Sequence, residues 1–263
     1  MRRIQLLVLG LAISWLIAAC GKQENSDESA PGAGVARAPD LHVLLADESR
    51  PAADRSRDAG RRPAEVIAFL GIEPGMRVID VIAAGGYYTE VLSLAVGPDG
   101  HVIAHNTDRV LQFRDGANEK AISERLANNR LPNVTRLNKN FDAMSPSDGP
   151  FDAGITALNF HDIYNGSGAD AAVSMLQTIA SVLKPGGVFG IIDHAGVAGA
   201  DNTQLHRIEV EKVIATAEAA GFIVESRSDL LRNAADDHTQ GVFAEGLRGN
   251  TDRFLLKLRK PGE

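Results

Sequence analysis

Imidazoles and carboxylates recur together in the second half of this 263-residue chain. LNFHD (158–162) brings Asn159, His161 and Asp162 into one short run, IIDHAG (191–196) contributes Asp193 and His194, LHR (205–207) adds His206 and Arg207, and DDHT (236–239) adds His238. Four of the seven histidines therefore lie in or near these segments, more clustering than a scatter of surface positions would produce. Two chemistries suit such a set. His161 or His194 could act as a general base that removes a proton from a hydroxyl or amine while a neighbouring aspartate orients the ring. Alternatively, Asp162, Asp193 and His194 could share a divalent metal that lowers the pKa of the nucleophile. The first is favoured, because a metal needs at least three convergent ligands and adjacent residues such as Asp193 and His194 need not point the same way. Any one histidine alone is more often a hydrogen-bonded structural residue than a catalyst.

A second chemical signal is VIDVIAAGGYYTE (78–90). It reads as a buried strand running through a small-residue turn into a helix, the place where open α/β sheets hold cofactors. A nucleotide loop of that kind usually carries three spaced glycines. Here Ile82 and Ala84 occupy the first two positions, and only Gly86, with Gly85 beside it, remains.

The elements that must position these residues alternate along the chain. Pro63 and Gly71 bracket a helix over 64–70. There follow a strand over 77–82, a helix over about 88–96 stopped by Gly97-Pro98, a strand over 101–104, a helix within 117–128, and strands over 134–137 and 153–158. A helix over 169–183, a strand over 188–192, a long helix over 203–220, a strand over 223–226 and a final strand over 253–258 complete the pattern. Such alternation predicts an α/β fold, a largely parallel sheet covered by helices on both faces. LNFHD then follows the fourth strand and IIDHAG the fifth, at the carboxyl edge where such sheets place their sites.

LKPGG (183–187) between helix and strand, AGF (220–222) before the sixth strand, and the terminal RFLLKLRKP resemble the class I S-adenosylmethionine (SAM)-dependent methyltransferase fold over nearly all of 62–261. GGYYTE, LNFHD, DHAG, LHR and TDRF together resemble a group of predicted bacterial methyltransferases. The resemblance implies a Rossmann-like, mostly parallel seven-stranded sheet whose last strand runs antiparallel between the fifth and sixth. It also implies SAM as cofactor and a small-molecule methyl acceptor. Residue by residue, Asp80 matches the acid that ends the first strand, Gly86 the last glycine of the loop, and Thr89 the small hydroxyl that opens the helix. Asn106 stands where an acid normally bonds the ribose hydroxyls, Asp142 where the adenine amino group is received, and Asn159 just past the fourth strand. The departures are physical as well as formal. Isoleucine at 82 fills space that a methionine or ribose group would need, and an amide at 106 supplies no charge-assisted bond. A SAM loop reshaped around Gly85-Gly86 and a loop that keeps the fold without the cofactor both remain open. The metal alternative resembles catechol-type methyltransferases, whose ligands also follow the fourth and fifth strands.

The beginning of the chain has a different character. Arg2 and Arg3 precede an apolar run over 4–17, then Ala18, Ala19 and the only cysteine, Cys20. This is a signal-peptide layout, and IAAC resembles a bacterial lipobox, which implies lipidation at Cys20, a membrane anchor, and a cell-envelope location. Gly21 after the cysteine suggests the outer membrane. Residues 1–20 thus read as signal, 21–40 as a disordered tether, and 41–263 as one domain. A single cysteine excludes disulfides and cysteine-based zinc sites or nucleophiles in the cleaved protein. A net charge of -7 without a long basic cluster argues against nucleic acid as a partner. In SRPAADRSRDAGRRP (49–63), Arg57, Arg61 or Arg62 could fold over the cleft towards a carboxylate; the blander alternative is solvated arginines paired with Asp54 and Asp58. Because SAM is held in the cytoplasm, an envelope location keeps a second function open, a cleft repurposed to bind another small molecule, and with it a catalytically silent scaffold.

Overall fold

Fully buried β-branched residues mark the centre of the sheet. Val78, Ile79 and Val81 of β1 (Arg77–Val81) have no exposed surface, as expected of a parallel strand covered on both faces. The computed structural model describes residues 40–262; the expected signal segment, Cys20 and all but the end of the tether lie outside them. Six further strands complete the sheet: β2 (His101–Asn106), β3 (Val134–Asn138), β4 (Phe151–Ala157), β5 (Leu183–His194), β6 (Ile223–Ser228) and β7 (Arg253–Arg259). Their order is β3-β2-β1-β4-β5-β7-β6, with β7 antiparallel to both neighbours and the other pairs parallel. This is the topology that the resemblance implied. The order reverses at β1 and β4, so the crevice beyond their carboxyl ends is the natural ligand position.

Helices cover both faces. In chain order they are α1 (Leu41–Ala46), α2 (Ala52–Arg61), α3 (Pro63–Leu70), α4 (Tyr87–Val96), α5 (Asp108–Leu126), α6 (Phe160–Ser167), α7 (Ala169–Val182) and α8 (Val210–Ala219). Alternation along β1 divides the core: Val78 packs with Val66, Leu70 and Leu92 of α3 and α4, while Ile79 and Val81 belong with Met175, Ile179 and Val213 of α7 and α8. None of the helices among the described residues is long and apolar enough to cross a membrane.

Three of the expected elements depart from the sequence pattern, and α1, α2 and α6 have no counterpart in it. LKPGG begins β5 rather than forming a turn before it, since Leu183 already pairs with Phe151 across a register shift. The helix expected over 203–220 starts only at Val210, because His206 is left-handed at φ 54° and the fully buried Arg207 turns inward to Asp236. α5 is broken at Phe113–Gly116, so the regular part begins where the sequence placed it.

Candidate functional site

The loop after β1 follows the path of a glycine-rich turn without most of its glycines. Ile82, Ala84 and Gly86 have φ of 58°, 49° and 82°, a region costing an L-residue about 1–2 kcal/mol and rarely entered by a β-branched one. The Ile82 side chain is 7% exposed and packs in the core, so it does not fill ligand space as its position in the sequence suggested. Ala84 is held by Asn106, whose Oδ1 accepts from the Ala84 N–H at 2.8 Å and whose Nδ2 donates to the Ala84 carbonyl at 3.3 Å. That corrects the reading of Asn106 as a ribose ligand: it is fully buried and its amide fastens the loop. Asn159 donates to the carbonyl of Ile82 at 3.1 Å and to that of Ala157 at 2.8 Å, so it too braces the turn.

Gly85 and Gly86 need correcting in the same sense. A Cβ on Gly86 would lie 2.5 Å from Ile122 Cδ1 and 2.9 Å from Arg125 Cδ, and one on Gly85 would meet Ala121 Cβ at 3.1 Å. The glycines admit α5 against the loop, where Arg125 Nε also donates to the Gly85 carbonyl at 2.7 Å. Asp80, 3% exposed, accepts from Thr89 Oγ1 at 2.7 Å, and burial raises its pKa to about 6. Asp142 stands exposed in a single 3-10 turn (Phe141–Ala143) after β3.

The histidine segments do converge. Asp193, with no exposed surface, accepts from His161 Nδ1 and from the backbone N–H groups of His161 and His194, all at 2.7 Å. Asp162 Oδ1 lies 3.3 Å from both His161 Nε2 and His206 Nδ1. His194 Nδ1 is 2.7 Å from Thr251 Oγ1, and its ring centre is 5.7 Å from that of His161. The alternative metal set of Asp162, Asp193 and His194 is not brought together, because Asp193 is occupied within the protein and His194 turns to Thr251. His238 is also apart, bonded to Asp252 at 2.9 Å.

The two candidate bases sit in opposite electrostatic settings. Burial alone would lower the pKa of His161, but Asp193 and Asp162 outweigh it and raise the value to about 10. Burial lowers that of His194 to about 3 despite Asp193. At neutral pH His161 is therefore charged and His194 is neutral but weakly basic, so neither matches the expected general base poised near pH 7.

Backbone strain concentrates at this edge. Of ten non-glycine residues with positive φ among the described residues, Ile82, Ala84, Leu158, His206 and His238 lie in the loops after β1, β4 and β5 or before β7. Strain of this kind persists where surrounding structure imposes it, which is commonest at ligand sites.

The arginine-rich segment forms a buried network that sequence reasoning missed. Asp54 pairs with Arg57 and, at 2.7 Å, with Arg125; Glu90, 1% exposed, pairs with Arg125 and, at 2.6 Å, with Arg130. Asp58 takes Arg50 at 2.5 Å and the Tyr87 hydroxyl at 2.6 Å. The pairing with Asp54 and Asp58 thus holds, but it ties α2 to α4 and α5 rather than standing in solvent. Arg61 differs: it lies 4.4 Å over Tyr87 and 5.9 Å over Tyr88, with no carboxylate within 4.0 Å among the described residues. Among the described residues the Arg253 side chain likewise bonds only the carbonyls of Thr251 and Gly60, and burial lowers the pKa of both arginines.

No family model matches the chain. A ubiquinone/menaquinone biosynthesis C-methyltransferase, UbiE, of Shewanella pealeana is 27% identical over 194 residues, covering 73% of this chain. The chain spans just under two thirds, 66%, of that relative's length. Among solved structures, a SAM-dependent methyltransferase from Aquifex aeolicus superposes with a TM-score of 0.54 at 20% identity, covering 75% of this chain and 88% of its own. The (4+2)-cyclase SpnF gives 0.56 at 18% identity, with coverage of 78% and 82%. The chain has the Rossmann-like methyltransferase fold.

Proposed function

We propose that this protein transfers a methyl group from SAM to a small-molecule acceptor bound at the carboxyl edge of β4 and β5. The observation that carries the reading is the loop 82–86, which keeps the left-handed path of a cofactor turn although Ile82 and Ala84 make it costly. The similarity to UbiE, named for C-methyl transfer, supports the same reaction class. SAM, when bound, supplies an electrophilic methyl on a sulfonium. The residues present fit its methionine half. The Ile82 side chain is turned into the core, the buried Asp80 carboxyl suits a cationic neighbour, and Arg61 and Arg253, guanidiniums with no carboxylate partner among the described residues, suit a carboxylate. On the ribose side Asn106 is engaged elsewhere, so affinity rests more on the loop backbone and on Asp142.

At the acceptor side the chain presents His161, Asp162 and His194 together. The charged His161 suits an acceptor oxygen that carries or develops negative charge. Replacing His161 with Ala should leave SAM binding within a few fold while lowering turnover by about 10²–10³, the effect of losing one charge-stabilising donor. The primary test is calorimetry of SAM against the purified protein. Micromolar affinity supports methyl transfer. An intact fold without binding supports the second reading, a cleft repurposed for another small molecule; one fold can host unrelated activities, and a structure similar to this chain is named as a (4+2)-cyclase. We further propose that Cys20 is lipidated and tethers the domain to the cell envelope.

A further inference from the structure

We propose that His161, Asp162 and His206 form a binding site for one divalent d-block cation of the zinc class, with Asp193 fixing the first ligand from behind. These three offer His161 Nε2, Asp162 Oδ1 and His206 Nδ1 within 4.8 Å of one another. Two of the separations, carboxylate to each imidazole nitrogen, are 3.3 Å. A charge-assisted N–H to carboxylate bond is normally about 2.7–2.9 Å, so these are long as hydrogen bonds. They are the right length for edges of a coordination tetrahedron, because ligand atoms about 2.0–2.1 Å from zinc stand roughly 3.3 Å apart.

The surroundings supply what a ligating imidazole needs. His161 Nδ1 is bonded at 2.7 Å to Asp193, whose other oxygen takes the His161 backbone N–H. This carboxylate-histidine arrangement orients the ring and leaves Nε2 on the side of Asp162, and a cation bound there takes the place of the proton His161 otherwise carries. His206 is held at φ 54°, with its ring edge-on to Phe243 at 5.0 Å. That unfavourable backbone brings its Nδ1 to Asp162 from a segment 44 positions further along the chain. Two imidazoles and one carboxylate suit zinc and its neighbours rather than magnesium or calcium, which prefer all-oxygen sets. The Asp162 and His206 side chains are 62% and 43% exposed, so the fourth position opens to solvent, as in sites whose metal holds water or substrate. The set differs from the alternative weighed from sequence, with His161 and His206 replacing Asp193 and His194. The inference stands apart from the proposed methyl transfer, since metal binding and SAM binding are read separately.

The test is titration of Zn²⁺, and of Co²⁺ for its visible absorption, into the full chain stripped of metal and carrying no polyhistidine tag. One equivalent should bind with micromolar or tighter affinity, and Co²⁺ should give the intense bands of a four-coordinate site. Asp162→Ala should abolish this. So should His206→Gly, which removes the ligand while relieving the positive φ, so the fold is retained and loss of binding is attributable to the site. Asp193→Asn should weaken binding about 10–100-fold. Absence of Zn²⁺ binding to the wild-type chain, or binding unchanged in Asp162→Ala and in His206→Gly, would overturn the inference, whatever SAM does.

Discussion

Asn106 shows why one amide can replace an acid at the end of β2. Its partner, Ala84, presents a donor and an acceptor, and only an amide answers both. Asn106→Asp, although it installs the acid of related folds, would set a buried carboxylate oxygen against the Ala84 carbonyl. It should cost about 1–3 kcal/mol without improving SAM affinity, as read by denaturant unfolding and calorimetry. Asp80 makes a pH-dependent prediction. With a folded pKa of about 6 against an ordinary 3.8, the folded chain holds its proton longer than the unfolded one. The stability this gives is present below about pH 4 and is lost as pH rises towards 6. A cationic ligand nearby favours the ionised form, so SAM affinity should increase between about pH 5 and 7 with release of a proton. Calorimetry near pH 6 in buffers of different ionisation enthalpy should show this, and identical heats would separate Asp80 from the ligand.

Between elements, the contact of α5 with the β1 loop decides what Gly86 does. Any side chain there meets Ile122 and Arg125 and must also adopt a φ of 82°. Gly86→Ala should therefore lose about 2–4 kcal/mol of stability, seen as a lower denaturation midpoint; an unchanged midpoint would return Gly86 to the ligand. Arg125 joins the same junction, since it bonds Gly85, Asp54 and Glu90 and so couples the loop to α2 and α4. On the opposite side, the fully buried Arg207 and Asp236 are joined by two 2.9 Å bonds that fasten the segment before β7 against the end of β5. The two ends of the site are thus framed by buried charge, one arranged around the cofactor loop and one around the histidines.

For the whole molecule, the envelope proposal rests on the first twenty residues. Wild-type protein should fractionate with membranes, and Cys20→Ser should release it or leave it unprocessed, because stable attachment needs more than one acyl chain. Soluble, correctly cleaved wild-type protein would end that idea. The β-α order, the sheet and the gathering of LNFHD and IIDHAG at one edge were legible in the sequence, because period and turn chemistry act locally and parallel topology carries strand ends to one side. The roles of single residues there were less legible. Ile82 and Gly86 looked like ligand positions, but which way a side chain turns depends on α5, whose contact with the loop joins residues about 40 positions apart. His206 looked helical from its neighbours, and only burial of Arg207 against Asp236 pulled it out of the helix and up to Asp162. Arg125 gave no signal, and Glu90 entered only as the end of GGYYTE with no partner named, since a buried ion pair leaves no periodic pattern in either segment. The sequence by itself determined the scaffold and the edge where chemistry is possible. Tertiary packing alone decided which of the side chains gathered there are spent on holding the loops and which remain available to a ligand.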